Sequence, residues 1–295
     1  MNNDNHNCLP FYPSLNEQNA AKNYAYGNIY PLYAPHNKLL PFQLTREHLT
    51  QSNWSIIAHY LNDSAMDLDI TSAVTGTLGW LVVENSHTAL MDNTPMDTIV
   101  CCMQFGMVGV SLAEGQWWVE ITDGENVWYS EMFVVVRDLS QYLRVEWRNL
   151  TDVQLNEGAI LYENLGFNFT NVLYFATELG KPEYPIEEEG ENRDGYFFAE
   201  KQISSKTYKA VITAPEYLCD CLRLVRLADI VDVRDGYMRD YPCDTFLATP
   251  TWQEQGDIAE VVLEFTTGTI VKHIGHGWTR SGDYDSVDFN EDYDI

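Results

Sequence analysis

Apolar and polar residues alternate over much of the chain, and this period of two predicts β-strands. Leu143, Val145 and Trp147 would face a core, while the residues between them, Arg144 and Glu146, would face solvent. Aromatic residues make up 13% of the chain and fall mostly in such runs, which favours strand over helix. Further strand candidates are Leu39–Leu44, Thr77–Val83, Ile99–Met103, Phe167–Phe175, Thr207–Thr213, Ile230–Val233 and Ile258–Val271.

The strongest local signal is a β-hairpin between residues 117 and 136. Two runs of strand-forming residues, Trp117–Ile121 and Val127–Val136, flank a segment that contains Asp123 and Gly124. Asp-Gly is typical of a hairpin turn because glycine accepts the positive φ that the turn requires. Together with the strand at Leu143–Trp147, this hairpin predicts an antiparallel sheet, most simply one half of a β-sandwich.

One segment departs from the β pattern and predicts a short helix from Pro215 to about Arg226. Proline suits the first position of a helix, where its missing N–H would be unpaired in any case. Spacings of four and three place Leu218, Leu222 and Val225 on one face, which would be buried. This helix lies within a second, mostly-β region of the chain.

The fold class predicted from these patterns is mostly β, with two antiparallel β-sandwich-like domains and one short helix in the second. The length of 295 residues fits about two domains. We expect an extended N-terminal arm at 1–37, a first domain at 38–150, a second domain at 151–274, and a flexible acidic tail at 275–295.

The predicted arm is rich in tyrosine and proline and has no regular period. Tyr24, Tyr26, Tyr30 and Tyr33 would anchor it against a partner subunit, because tyrosine buries a large area at low entropic cost. A disordered leader is the alternative that the pattern leaves open.

A second candidate contact is an acidic segment, Glu187–Asp194, which predicts a solvated loop that protrudes from the second domain. It lacks the alternating ligands of an EF-hand, and adjacent carboxylates would point in different directions, so the pattern does not indicate a calcium site. The loop would contact a neighbouring subunit through Glu187, Glu188, Glu189 and Glu191.

The overall charge argues against nucleic acid and membrane surfaces as direct partners. The chain has 17 basic and 44 acidic residues and a net charge of −27, without a cluster of lysine and arginine. Sequence-specific nucleic-acid binding and attraction to anionic lipid both require such a cluster. The sequence shows no signal-peptide pattern and no run of roughly 18–20 apolar residues. We expect a protein that is made and kept in a cytosol-like compartment.

The sequence shows no recognisable arrangement of catalytic or metal-binding residues. The six cysteines form no CxxC pair and read as reduced thiols, and His273 and His276 have no partner at a diagnostic spacing. The glycine-rich and nucleophile motifs of common enzymes are missing from the sequence. We therefore predict no catalytic, cofactor-binding or metal-binding residue, and a protein that is not an enzyme.

Aromatic residues of the predicted hairpin allow an alternative function, the stacking of sugars. Trp117, Trp118, Trp128 and Tyr129 could line such a platform. Adjacent strand residues face opposite sides, so Trp117 and Trp118 cannot both belong to it, and one of them would pack in the core.

The order of several short motifs resembles that of a group of virion structural proteins from phages and prophages of Bacteroidetes, including the crAss-like phages. The resemblance covers roughly Leu39 to Val271, and none of its motifs is catalytic. The motifs are Trp128–Phe133, Arg144–Asn149, Gly166-Phe167 followed by Leu173–Phe175, Lys181–Tyr184, Glu188–Glu191, Ala214–Leu218, and Trp252-Gln253 followed by Gly256-Asp257.

This resemblance implies a structural component of the virion that forms part of a ring in the tail or in the head–tail connector through which DNA passes. It implies a homo-oligomeric ring, a dodecamer by resemblance, that is assembled in the host bacterial cytoplasm beside other tail or portal proteins. Acidic walls would suit a DNA conduit, because like charges do not adhere. The alternative is a glycan-binding host-attachment module of the tail.

Overall fold

The structure, a computed structural model, is mostly β, as predicted. It describes residues 7–17, 32–61, 63–75, 81–88, 95–101, 110–151, 153–154, 160–161, 170–193, 195–252 and 258–273. The strands up to residue 148 are β1 (Phe11–Tyr12), β2 (Tyr33–Pro35), β3 (Phe42–Glu47), β4 (Ser55–Tyr60), β5 (Leu68–Asp69), β6 (Leu81–Thr88), β7 (Pro95–Cys101), β8 (Gly115–Thr122), β9 (Val127–Ser130), β10 (Phe133–Val136) and β11 (Leu143–Arg148).

The later strands are β12 (Val153–Gln154), β13 (Ile160–Leu161), β14 (Asn171–Phe175), β15 (Ile186–Arg193), β16 (Tyr196–Pro215), β17 (Ile230–Arg234), β18 (Asp240–Pro242), β19 (Thr245–Trp252) and β20 (Ile258–His273). The described helical segments include residues 15–17, a 3-10 turn at Ser64–Met66, the helix α1 (Thr71–Thr75) and the helix α2 (Glu216–Val225).

The predicted hairpin is confirmed and forms the centre of the first sheet. Strand β8 pairs with β4 along one edge and with β9 and then β10 along the other, and Thr122 lies opposite Val127. Gly124 has a φ of 99°, as the turn requires. A second sheet, in the order β3-β7-β6, packs against the first, with the rings of Phe11 and Phe42 4.7 Å apart. This half of the chain is therefore sandwich-like.

The described residues of the predicted N-terminal arm do not form a separate arm. Strand β1 pairs with β9 and strand β2 pairs with β10, so both belong to the first sheet of their own chain. Leu9, Phe11 and Leu32 are fully buried there. Tyr33 lies in β2 with its ring 5.0 Å from that of Tyr142, whereas Tyr24, Tyr26 and Tyr30 lie outside the described residues, as does the predicted acidic tail.

The pairing of strand β11 shows that the predicted domain boundary at residue 150 lies too late in the chain. Its alternation is confirmed, with Leu143, Val145 and Trp147 buried, but its two edges pair with β14 and β17 instead of with the hairpin. The sheet β14-β11-β17-β18 therefore begins the second half of the chain before residue 150. A last sheet, in the order β15-β16-β20-β19, completes it.

The helix α2 packs its apolar face against this last sheet. The predicted core positions Leu218, Leu222 and Val225 are all buried, and Pro215 is the residue just before the first turn. Glu216 lies in that first turn, where a negative charge complements the helix dipole. The helix prediction is thus confirmed in position and in orientation.

The N-terminal segment joins the two halves into one core. The Tyr12 hydroxyl donates to Glu131 Oε2 at 2.8 Å, and Tyr217 of α2 lies beside both residues. Burial there raises the pKa of Tyr217 well above its ordinary value. Cys8 of the same segment contacts Cys221 of α2. Residues of this segment therefore contact both the hairpin and the helix.

Substitution of a buried residue in this segment should destabilise the whole chain. We expect Phe11→Ala to lower the free energy of unfolding by about 3–5 kcal/mol, because it leaves a cavity between the two sheets. Leu15→Ala is the control, since Leu15 is exposed in the same segment. Urea unfolding followed by tryptophan fluorescence measures both. Equal, small losses would show that the segment is not part of the core.

Candidate functional site

Strand β16 passes through two different environments. It has 20 residues and so spans about 66 Å at a rise of about 3.3 Å per residue. In its C-terminal half, Tyr208, Ala210, Ile212 and Ala214 are buried on one face, toward α2. In its N-terminal half, between Tyr196 and Lys206, no described side chain is buried. The strand therefore leaves the core while its pairing continues.

The part beyond the core is a narrow ribbon that we call the finger. It consists of β15, residues 196–204 of β16 and residues 270–273 of β20. Strand β16 pairs with β15 from Ser204 to Tyr196, and with the described residues of β20 as far as Lys201, opposite His273. Among the described residues, the finger is thus three strands wide at its base and two strands wide toward its tip.

The segment predicted as an acidic loop, Glu187–Asp194, lies mainly in a strand of the finger. Residues Ile186–Arg193 form a strand whose pairing with β16 shifts register between Glu189 and Gly190, and Arg193 lies opposite Tyr196, so two residues join β15 to β16. Gly195 has a φ of 83°, which a hairpin turn favours. The signal for this hairpin was Asp194-Gly195, the same dipeptide that predicts the first one. The run of glutamates concealed it, because glutamate is depleted in strands.

The predicted contact residues Glu187, Glu188, Glu189 and Glu191 all lie in β15, are exposed, and divide between two faces. On one face, the side-chain amide of Gln202 donates to Glu188 Oε1 at 2.6 Å. On the other, Lys201 Nζ lies 3.1 Å from Glu189 Oε1. These cross-strand contacts replace the apolar pairs of a buried sheet.

Four large apolar side chains of the finger are exposed among the described residues. Ile186, Phe197, Ile270 and Val271 are 67%, 50%, 68% and 46% exposed, and Val271 lies opposite Ile203 on the other face of the ribbon. Ile186 and Ile270 both lie opposite Ser204, which places them on one face of the ribbon. Phe197 lies opposite Asn192, an even number of residues from Ile186, and so shares that face. Phe197 nevertheless lies about 20 Å along the ribbon from Ile186 and Ile270, since six strand residues separate Asn192 from Ile186.

Adjacent aromatic residues of the first sheet face opposite sides of it, as the alternation of a strand requires. Trp117 and Trp128 are buried, while Trp118 and Tyr129 lie on the outer face with ring centroids 6.1 Å apart. The imidazole of His59 stacks on Trp118 at 4.0 Å and accounts for one face of that ring. A sugar could therefore stack only on the remaining aromatic surface of this sheet.

The buried ionic groups of the first half are structural. The guanidinium of Arg46 binds both Asp97 and Asp123, with its Nη2 3.2 Å from Asp97 Oδ2. Burial acts to raise the pKa of each aspartate, but hydrogen bonds from His48 and Leu49 to Asp97, and from Asn126 and Glu125 to Asp123, outweigh it together with those from Arg46. The pKa of both carboxyls therefore lies below its ordinary value, and both are charged partners of the arginine.

Two of the described cysteines lie in surroundings that disfavour the thiolate. Burial raises the pKa of Cys219 to about 11 and that of Cys243 to about 12, so these thiols are poor nucleophiles at neutral pH. Within the described ranges, no group of three or more potential ligands is placed to hold a metal ion. A cleft of about 370 Å³ lies between the end of α2 and β19, lined by Val225, Arg226, Phe246 and Glu264 among others.

Comparison of the chain with protein-family models, with curated proteins and with solved structures found no match. Among the residues that the structure describes, no helix has both the length and the apolarity needed to cross a bilayer. The finger and the outer face of the first sheet are therefore the features of the structure that bear on function.

The finger should be dispensable for the stability of the monomer. We expect Phe197→Ala to change the free energy of unfolding by about 0.5 kcal/mol or less, because the ring is half exposed. Phe265→Ala in the buried base of the same sheet should cost about 3–5 kcal/mol, since Phe265 is 2% exposed. Urea unfolding compares this matched pair. A loss at Phe197 as large as the loss at Phe265 would show that the finger is packed against the body.

Proposed function

We propose that the chain is a structural component of a bacteriophage virion and forms part of a ring in the tail or head–tail connector through which DNA passes. The observation that carries the proposal is the finger, a ribbon that bears exposed apolar side chains among the described residues, Ile186, Phe197 and Ile270 on one face. Exposed apolar side chains on a protruding element are typical of contacts with another molecule. The order of the sequence motifs, which resembles that of virion proteins, supports the same function.

A ring of identical copies needs a heterologous contact, in which one surface binds a different surface of the next copy. The tyrosine-rich segment between β1 and β2 is the predicted source of that contact, through Tyr24, Tyr26 and Tyr30. The net charge of −27 supports a conduit function, because acidic walls do not retain the phosphates of a passing duplex. The expected location is the virion, after assembly in the host cytoplasm.

The native protein should have a mass that is a discrete multiple of 33.8 kDa in light scattering, and should appear as closed rings in electron microscopy. We expect the triple substitution Tyr24→Ala, Tyr26→Ala and Tyr30→Ala to shift the protein to smaller species. Tyr237→Ala is the control, because this tyrosine is exposed on a different part of the chain. A single-chain mass at two protein concentrations would contradict the ring.

The second candidate is a glycan-binding attachment module of the tail. Half-buried Trp118 and Tyr129 on one outer face are the observation that favours it. We expect binding to bacterial surface polysaccharide to be lost in Trp118→Ala and kept in Trp252→Ala, a control at an exposed tryptophan of β19. Trp128 cannot serve this test because it is buried. The absence of binding to a glycan array would remove this candidate.

A further inference from the structure

We infer that the acidic C-terminal residues 283–294 dock onto a basic, tyrosine-lined surface in the second half of their own chain. This surface, which we call the basic patch, consists of Tyr184, Lys206, Tyr237, Met238 and Arg239. The inference does not rest on the proposed function and goes beyond it, because it assigns a contact within one chain.

Two neighbouring cations form the centre of the basic patch. The Lys206 ammonium interacts with the Tyr208 hydroxyl, and the Arg239 guanidinium interacts with the Tyr241 hydroxyl. The charge of Arg239 also acts on Lys206, so the two cations lie near each other. Among the described residues, neither Lys206 nor Arg239 forms a salt bridge, in contrast to Arg234 of β17. Both cations are therefore available to an anion.

The acids around the basic patch are already engaged. The Asp235 carboxylate acts on Arg239, but it is 6% exposed and its oxygens accept hydrogen bonds from backbone amides and from the Tyr241 hydroxyl. Glu183, which precedes Tyr184, lies 3.4 Å from Lys209. With Asp235 counted, two cations and one carboxylate leave a net charge of +1 in a chain whose net charge is −27.

The turn that carries Tyr237, Met238 and Arg239 is fixed and presents its side chains to solvent. The buried carboxylate of Asp235 accepts hydrogen bonds from the amides of Tyr237 and Arg239 at 2.9 and 3.0 Å. Met238 has a φ of 63°, a conformation that is strained for a residue other than glycine. Tyr237 and Met238 are nevertheless 74% and 58% exposed. A turn that is held in this way is preorganised for contact.

Aromatic rings accompany both cations. The Arg239 guanidinium lies 5.6 Å from the ring centroid of Tyr237, and Lys206 Nζ lies 5.1 Å from that of Tyr208. Tyr184, which is 66% exposed, is close enough to act on Lys206. Exposed tyrosine beside arginine is typical of protein interfaces. The complementary ligand therefore combines carboxylates with aromatic side chains.

The C-terminal residues of the chain have this composition. Between residues 274 and 295 the sequence has six acidic side chains and one cation, Arg280, a net charge of −5. Tyr284, Phe289 and Tyr293 each directly follow an aspartate. Charges of opposite sign thus meet on the two sides of the inferred contact, and an aromatic side chain lies next to three of the acids.

The acidic residues can reach the basic patch of the same chain. The described part of β20 ends at His273, and Lys206 lies opposite Thr267, six residues or about 20 Å back along the strand. The ten residues from His273 to Asp283 can span about 33 Å. A ligand tethered by so short a segment has an effective concentration in the millimolar range. A weak contact would therefore still be occupied within one chain.

Nucleic acid is the less favoured anion for the same surface. Two cations neutralise about two phosphates, whereas the rest of this acidic chain repels a phosphate backbone.

A peptide with the sequence of residues 282–295 tests the inference on the full chain. The host is a tail-neutral variant, in which each acid of that segment becomes its amide. Fluorescence anisotropy should show that the peptide binds this variant at least about tenfold more tightly than the parent, whose own acidic residues occupy the basic patch. A peptide with the same amide replacements should bind neither protein. The replacements are Asp283→Asn, Asp285→Asn, Asp288→Asn, Glu291→Gln, Asp292→Asn and Asp294→Asn.

Substitutions in the tail-neutral variant locate the binding. We expect Lys206→Gln with Arg239→Gln to weaken the acidic peptide about tenfold, and Tyr237→Ala to weaken it severalfold. The matched control is Arg137→Gln with Arg223→Gln, which removes the same charge from exposed residues elsewhere and should leave binding unchanged. Thermal unfolding confirms that each variant is folded.

Four outcomes would overturn the inference. The peptide could bind the parent as tightly as the tail-neutral variant, or bind the patch and control variants equally. A twelve-residue oligothymidylate could bind more tightly than the peptide and depend on the same cations, which would make nucleic acid the occupant. In light scattering, a lower mass for the tail-neutral variant than for the parent would place the acidic residues on a second copy. A single-chain mass for both proteins, with patch-dependent peptide binding, would sustain the inference and contradict the ring.

Discussion

The structure of the finger depends on the continuity of one strand, β16. Its C-terminal half is fixed by the burial of Tyr208, Ile212 and Ala214, and its N-terminal half inherits its direction from the same hydrogen-bonded ladder. A two-stranded hairpin in water is marginally stable without such a base. The core therefore supplies the rigidity of the ribbon, while the exposed half supplies the surface that a partner can reach.

A second constraint is the hydrogen bonding around Glu131, at the end of the hairpin that Tyr12 and α2 approach. The Ser130 hydroxyl accepts a hydrogen bond from the Val119 amide at 2.8 Å, and Glu131 Oε1 accepts one from the Met132 amide at 2.9 Å. Glu131 Oε2 also accepts a hydrogen bond from the Tyr12 hydroxyl, and Tyr217 of α2 lies near both residues. Two of the sequence motifs, Trp128–Phe133 in the hairpin and Ala214–Leu218 at the start of the helix, thus lie near each other. Their contacts with the N-terminal segment help to hold the fold together.

Local sequence patterns predicted several of the strands and the helix α2. The elements that these patterns missed were missed for physical reasons. The first hairpin, β11 and α2 could be predicted because a turn dipeptide or a regular period lies within a few residues. Strands β1 and β2 are too short to show a period, and they depend on the edge that β9 and β10 offer. Strand β15 carries polar residues on both faces because neither face is buried. The contacts of Arg46 with Asp97 and Asp123 join residues far apart in sequence, which no local pattern reveals.

Amide hydrogen exchange along β16 in the isolated chain distinguishes an exposed ribbon from a strand that is packed over its whole length. Amides within a packed core exchange through global unfolding, whereas those of an exposed ribbon exchange through local opening at a lower free energy. We therefore expect residues 208–214 to be strongly protected and residues 196–204 to exchange markedly faster. Equal protection along the whole strand would contradict the account, because it would show that the ribbon is part of the core.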